Sequence, residues 1–448
     1  MASTTSRRVL LAAGGSVAAG LSGCAGPGAW FVSPPTSVEQ LAMNSSQAVA
    51  AIRSGRLPAE AYVNTLLARA EQLQDLNAFI VLDKAGAIAA ARQVDTLRRR
   101  GAALPPLAGL PIVVKDNINT RDLPTTAGTA AAIAARIVPS GLGTDTGGST
   151  RVPAALCGIV GLRPSVGNGG AERRYDAAGV VPISHTRDTV GPMGRSVADV
   201  ALLDSVITAT PLAVALPLRG LRIGVPASFW AGLDLQVAAV MAAARSQLQA
   251  AGVVFVNVDI PTLAEVNAKV SFPLALHEPI ADIPAYLAAT GVTGISLADV
   301  AAGVASPDVK AAFGAILADA FGKDYDAAMR THRPRLRSLY EAYFRSAVLD
   351  AMMFPTTIAP AALIDVARGS GQVSVNGGAP ADSFATFIRN TDPGSNAGIP
   401  GLSLPAGLTG SGLPVGLELD GPVGSDRRLL GIGLAMEALL GALPAPTI

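Results

Sequence analysis

Cysteine and histidine are scarce in this sequence, and the scarcity removes whole classes of chemistry. Two cysteines, Cys24 and Cys157, cannot build a disulfide framework or a zinc ribbon. Three histidines, His185, His277 and His332, stand far apart without metal-ligand spacing, so neither a metal centre nor another cofactor is expected. Charge of one sign is lacking too: 34 Lys and Arg face 33 Asp and Glu, which leaves no electrostatic case for nucleic acid as a partner. The GxSxG nucleophile elbow, the GxxxxGK[ST] phosphate loop and the GxGxxG dinucleotide fingerprint are all missing. Beyond the N-terminus no run reaches the roughly 18 uninterrupted apolar residues of a membrane helix. What is present is length and apolar content: 448 residues, half of them hydrophobic, enough for one large core or two moderate ones.

The N-terminus reads as an address. SRRVL (residues 6–10) is a twin-arginine pattern, followed by an apolar run too short to span a bilayer and then by LSGC (residues 21–24), which resembles a lipobox. Residues 1–24 are therefore expected to be an export signal, 25–37 a linker and 38–448 the working domain. Cys24 is the expected lipidation site, and the periplasm or cell envelope the expected location, with a lipid anchor as partner. An ordinary cleaved signal beside a chance cysteine remains the alternative.

Past the signal the pattern is α/β. Helical spacing runs over residues 36–53 and 58–74, where Tyr62, Leu66, Ala70 and Leu73 share a face. Short apolar runs at 110–114, 221–225, 253–258, 348–355 and 413–419 read as strands, with helices at 235–250 and 426–440. The alternation predicts a mixed, twisted sheet covered by helices on both faces. The Gly- and Ser-rich stretch 367–381 reads as a surface loop at a rim.

Three motifs carry the chemistry: GLPIVVKDN (109–117), GTDTGGSTRVPA (143–154) and CGIVGLRP (157–164). With DTVGPMGRSVAD (188–199) and LPVGLEL (413–419), they resemble the amidase signature family from about Val38 to the C-terminus. Residues 179–199 are most similar to the bacterial indoleacetamide and mandelamide hydrolases. The resemblance implies a Ser-Ser-Lys amidase acting on a small-molecule amide. Ser149 is then the nucleophile and Lys115, at the end of a buried strand, its base; burial lowers a lysine pKa, and only the neutral amine can take a proton. Two glycines before Ser149 let the backbone N–H groups of Thr146, Gly147 and Gly148 approach a developing oxyanion. Asp145 and Arg151 resemble the pair that shapes this loop in the family; an ordinary ion pair there fits as well. Cys157 sits in an apolar context and reads as a core residue.

One part of the family pattern is missing. A bridging serine, in a Gly-Gly-Ser-Ser-Gly-Gly type of turn, passes the proton between lysine and nucleophile in the family, and no such turn occurs here. PTTAG (124–128) resembles the segment just after the lysine, whereas TAAAI (129–133) resembles the segment just after the bridging serine. The chain thus reads as joined near Gly128 and Thr129, short of on the order of 60 residues that the resemblance implies, among them a helix and a sheet strand. Thr125 is the one candidate for the bridging position, although its β-methyl crowds a tight turn. Two alternatives stay open: an amidase-fold protein inactive through loss of the bridging serine, and an amidotransferase subunit, against which the export signal argues.

Overall fold

The computed structural model describes residues 33–120, 129–363 and 371–447. Residues 1–24, expected to be an export signal, and Thr125 lie outside the described residues, Cys24 among them. From Pro35 onward the chain forms one unit, built on a nine-stranded sheet. In chain order the strands are β1 Ile112–Val114, β2 Ser140–Asp145, β3 Val160–Arg163, β4 Thr189–Gly194, β5 Arg222–Gly224, β6 Val254–Val256 and β7 Ala351–Pro355. A separate two-stranded ribbon pairs β8 Gln372–Val373 with β9 Ala381–Asp382, and the large sheet closes with β10 Gly401–Leu408 and β11 Pro414–Asp420.

The order across the large sheet is β1-β2-β4-β3-β10-β11-β7-β5-β6. β1 pairs parallel with β2, and β5 parallel with both β6 and β7, while the central pairings are antiparallel, so the sheet is mixed as expected. Strand β7 shows why both faces are covered. Its residues alternate in direction, so Ala351 and Met353 enter one core with Leu402, Leu417 and Met436, while Met352 and Phe354 enter another with Leu336 and Tyr340. A third core packs Ile52, Tyr62 and Leu66 under the N-terminal helices, and a fourth joins Ile133, Ile159 and Met193.

Three features depart from the sequence reading. Residues 36–53 form two helices, Ser37–Ala42 and Ser45–Ser54, because Asn44 accepts from the Gln47 amide while the Gln47 side chain accepts from the Asn44 amide, restarting the helix with its own cap. Strand β2, SGLGTD, has no apolar alternation to announce it, since its glycines leave nothing to pattern. The described part of the 367–381 stretch is less irregular than expected, because Gln372–Val373 and Ala381–Asp382 pair as the ribbon.

Among the described residues β1 lies at the edge of the sheet, paired on one side only. Ile112 is 37% exposed there. Beside the edge opens a cavity of about 420 Å³ lined by Leu66, Phe79, Leu82, Val113 and Val138, with Lys115 among its wall residues.

Candidate active site

Lys115 directly follows β1, and the parallel register that sets Val114 opposite Leu142 carries it alongside the end of β2. Its backbone N–H donates to Leu142 O at 2.8 Å, and its Nζ donates to Thr144 Oγ1 at 2.9 Å. Thr144 in turn donates to Asn117 Oδ1 at 3.1 Å. Burial pushes the Lys115 amine below its ordinary pKa, against the opposing pull of the Asp145, Asp188 and Asp116 carboxylates. This is the direction a general base needs.

Ser149 ends the loop between β2 and the helix Arg151–Cys157, and it is the only exposed residue from Gly143 to Arg151. The loop is strapped from three sides. Thr146 Oγ1 donates to Asp188, Thr391 Oγ1 donates to Gly147 O at 2.8 Å, and the Thr150 amide donates to Asp145 at 3.3 Å. Gly148 has φ +135°, and a Cβ there would lie 2.2 Å from Thr391 Oγ1, so only glycine fits. The amides of Thr146, Gly147, Gly148 and Ser149 donate to no described residue. Unpaired N–H groups in succession favour an anion or an oxyanion.

The expected pair Asp145–Arg151 is a fully buried, two-pronged bridge: Nε to Oδ2 at 3.0 Å and Nη2 to Oδ1 at 3.1 Å. It belongs to a larger network that the sequence did not reveal. Arg163 donates to the Asp145 carboxylate at 3.0 Å, and Arg151 also reaches Glu418 at 2.9 Å, Ser395 Oγ at 2.7 Å and Thr391 O at 3.1 Å. Burial alone would raise the Asp145 pKa, but Arg151 and Arg163 overcome it and hold the carboxyl well below the usual range. Asp420 goes the other way: burial, then the neighbouring Glu418 charge, raises its pKa. Cys157 is half-buried against the core holding Ala154 and Ile159, and burial lifts its thiol to about 11, out of reach of thiolate chemistry at neutral pH.

Asp188, Arg163, Thr391 and Glu418 were not singled out as site residues by the sequence reading. DTVGPM, LRP and LPVGLEL gave three of them motif membership without a role; Thr391 had no signal at all. Lys115 and Ser149 make no direct hydrogen bond to each other, and no described residue bridges them.

A model of the Amidase family matches residues 61–130 and 127–430 of this sequence. The chain belongs to the amidase signature family. Indoleacetamide hydrolase of Agrobacterium vitis is 37% identical over 455 residues, covering 86% of this chain and 94% of that protein. Mandelamide hydrolase of Pseudomonas putida is 35% identical over 484 residues, covering 90% and 92%. Among solved structures, an amidase crystal structure at 28% identity covers 89% of this chain and all of the other, with a TM-score of 0.76. Within this amidase signature chain, the two matched pieces overlap at residues 127–130. Since 86% of 448 is about 385 residues, about 70 of the 455 positions aligned with the Agrobacterium protein face no residue here.

Proposed function

We propose that this chain hydrolyses a small primary carboxamide through an acyl-enzyme on Ser149, with Lys115 as the base. The observation that carries the reading is the arrangement around Ser149: an exposed residue at the tip of a buried loop, the amides of residues 146–149 that donate to no described residue, and a half-buried lysine directly after the adjoining strand. Ser149 Oγ attacks the amide carbon and its proton passes to Lys115. The amides of residues 146–149 hold the negative charge that develops on the carbonyl oxygen. The proton then goes to the leaving nitrogen, ammonia departs, and water activated through Lys115 splits the ester to regenerate Ser149. The names of the Agrobacterium and Pseudomonas relatives support an arylacetamide such as indoleacetamide or mandelamide as substrate.

A second reading, an amidase fold that has lost turnover, is favoured by one set of observations. The family match breaks at 127–130, about 70 aligned positions lack a counterpart, and β1, next to the lysine, pairs with β2 on one side but with no described strand on the other. These support a deletion near Gly128 that removed the proton carrier between Lys115 and Ser149. We infer from both that turnover is slow. Intact-mass measurement after mixing with indoleacetamide tests the nucleophile: an adduct on the wild type that is missing from folded Ser149→Ala is expected, and full turnover by Ser149→Ala removes the mechanism. For location we propose export, as the twin-arginine pattern implies. Arg7→Lys with Arg8→Lys should then hold the protein in the cytosol, and an unprocessed cytosolic wild type contradicts it.

A further inference from the structure

Spacing along the chain shows no metal site, but the fold brings one of the three histidines to two carboxylates that are distant in the chain. His185 lies in the segment leading to β4, 97 residues before Asp282, which is on the helix Pro279–Ala289; Glu278 immediately precedes that helix. His185 Nδ1 is 2.9 Å from Asp282 and 3.7 Å from Glu278 Oε2, and one ligand atom from each of the three residues lies within 4.8 Å of the others. An ion held at about 2.1 Å by each of three ligands in a tetrahedral arrangement sets those ligands about 3.4 Å apart. The observed separations need only small side-chain adjustments to reach that.

Charge points the same way. Glu278 is only 3% exposed, yet among the described residues neither it nor Asp282 forms an ion pair with a lysine or arginine; His185 is the one ion-pairing partner of both. Buried carboxylates are ordinarily neutralised by a cation or held by a metal. Hydroxyl groups orient Glu278 instead: Ser184 Oγ donates to Oε2, Thr186 Oγ1 to Oε1 at 2.9 Å, and Tyr325 OH to Oε1 at 3.0 Å. Fixing a ligating carboxylate by outer hydrogen bonds is how metal sites set their geometry. Next to the cluster is a cavity of about 300 Å³, lined also by His277 and Asp319, with room for waters to complete a coordination shell. The His185 side chain is 59% exposed, which gives an ion a way in.

We propose that His185, Glu278 and Asp282 bind one divalent first-row transition-metal ion. One imidazole and two carboxylates suit zinc, which is the probe to use. The ion clamps the helix Pro279–Ala289 to residues 184–186. That clamp sits behind the nucleophile loop, because Asp188, in the same segment, accepts from Thr146 Oγ1 and from the amides of Ile183 and Ser184. The ion's part is structural, and the proposal does not depend on amide turnover.

The test uses the full chain without a histidine tag, stripped with chelator and titrated calorimetrically with zinc chloride. One equivalent should bind to the wild type. Outer-shell partners alone are worth about 10- to 100-fold in metal affinity, so His185→Ala and Asp282→Asn should each weaken binding about 100-fold or more. His277→Ala, which alters the same cavity without removing a ligand, should stay within about threefold. Circular dichroism establishes that the variants fold; if Asp282→Asn does not, the exposed His185→Ala decides. Failure of the folded wild type to bind one equivalent overturns the site, as does unchanged affinity in His185→Ala.

Discussion

Lys115 Nζ donates to Thr144 Oγ1 at 2.9 Å, so the candidate base is held by a hydroxyl on the neighbouring strand instead of by the nucleophile it serves. The Thr144 hydroxyl proton is committed to Asn117, which leaves its oxygen as an acceptor for the amine. Thr144→Val keeps the shape and removes that acceptor. The ammonium form loses more than the neutral amine, so the already lowered Lys115 pKa falls further. The limb of the kcat/KM pH profile set by deprotonation of Lys115 should move to lower pH. The plateau should fall about 10- to 100-fold as the amine loses its position. A profile that keeps its limb in place, read over pH 6 to about 10, would show that Thr144 does not position the base.

That contact also marks where sequence reasoning stopped. The motifs around Lys115 and Ser149 were legible because the residue types are unusual at that spacing, and the α/β alternation was legible from short apolar runs such as 348–355. Nothing in GTDTGGS says that Thr144 faces the lysine, because that follows from the parallel register of β1 on β2. The rest of the network was hidden for the same reason: Arg151 meets Glu418 across 267 residues and Ser395 across 244. Sequence spacing could not show that His185 lies beside Asp282, because the two are 97 residues apart and meet only in the fold.

Gly148 should tolerate no side chain. At φ +135° an alanine is strained, and its Cβ would collide with Thr391 Oγ1 at 2.2 Å. Gly148→Ala should cost about 1 to 3 kcal/mol and displace the amides that flank Ser149, so rate and stability fall together. Urea denaturation and steady-state rates measure both. Wild-type values for each would mean that the loop rearranges freely.

Arg151 faces Asp145 and Glu418 with all three side chains fully buried. Arg151→Gln removes the positive charge and leaves buried carboxylates underpaired, a change that costs about 3 to 5 kcal/mol when one partner of a buried pair is lost. The midpoint of urea unfolding at pH 7 should fall accordingly. At lower pH, where Glu418 takes up a proton more readily than a free carboxylate because burial raises its pKa, the gap to wild type should narrow. A gap below about 1 kcal/mol at pH 7 would place the network's stability elsewhere.

The central claim is that Ser149 and Lys115 are an amidase pair slowed by loss of the proton carrier between them. The most direct measurement is kcat/KM for indoleacetamide in the chain as written and in a version with a family-like Gly-Gly-Ser-Ser-Gly-Gly segment restored between Gly128 and Thr129. The restored chain should be at least about 10²-fold faster, a difference of about 2.7 kcal/mol in the barrier. Its β1 amides should also gain protection from hydrogen exchange as the sheet edge is covered. Equal rates, together with loss of activity in Thr125→Val of the chain as written, would contradict the claim and make Thr125 the working bridge.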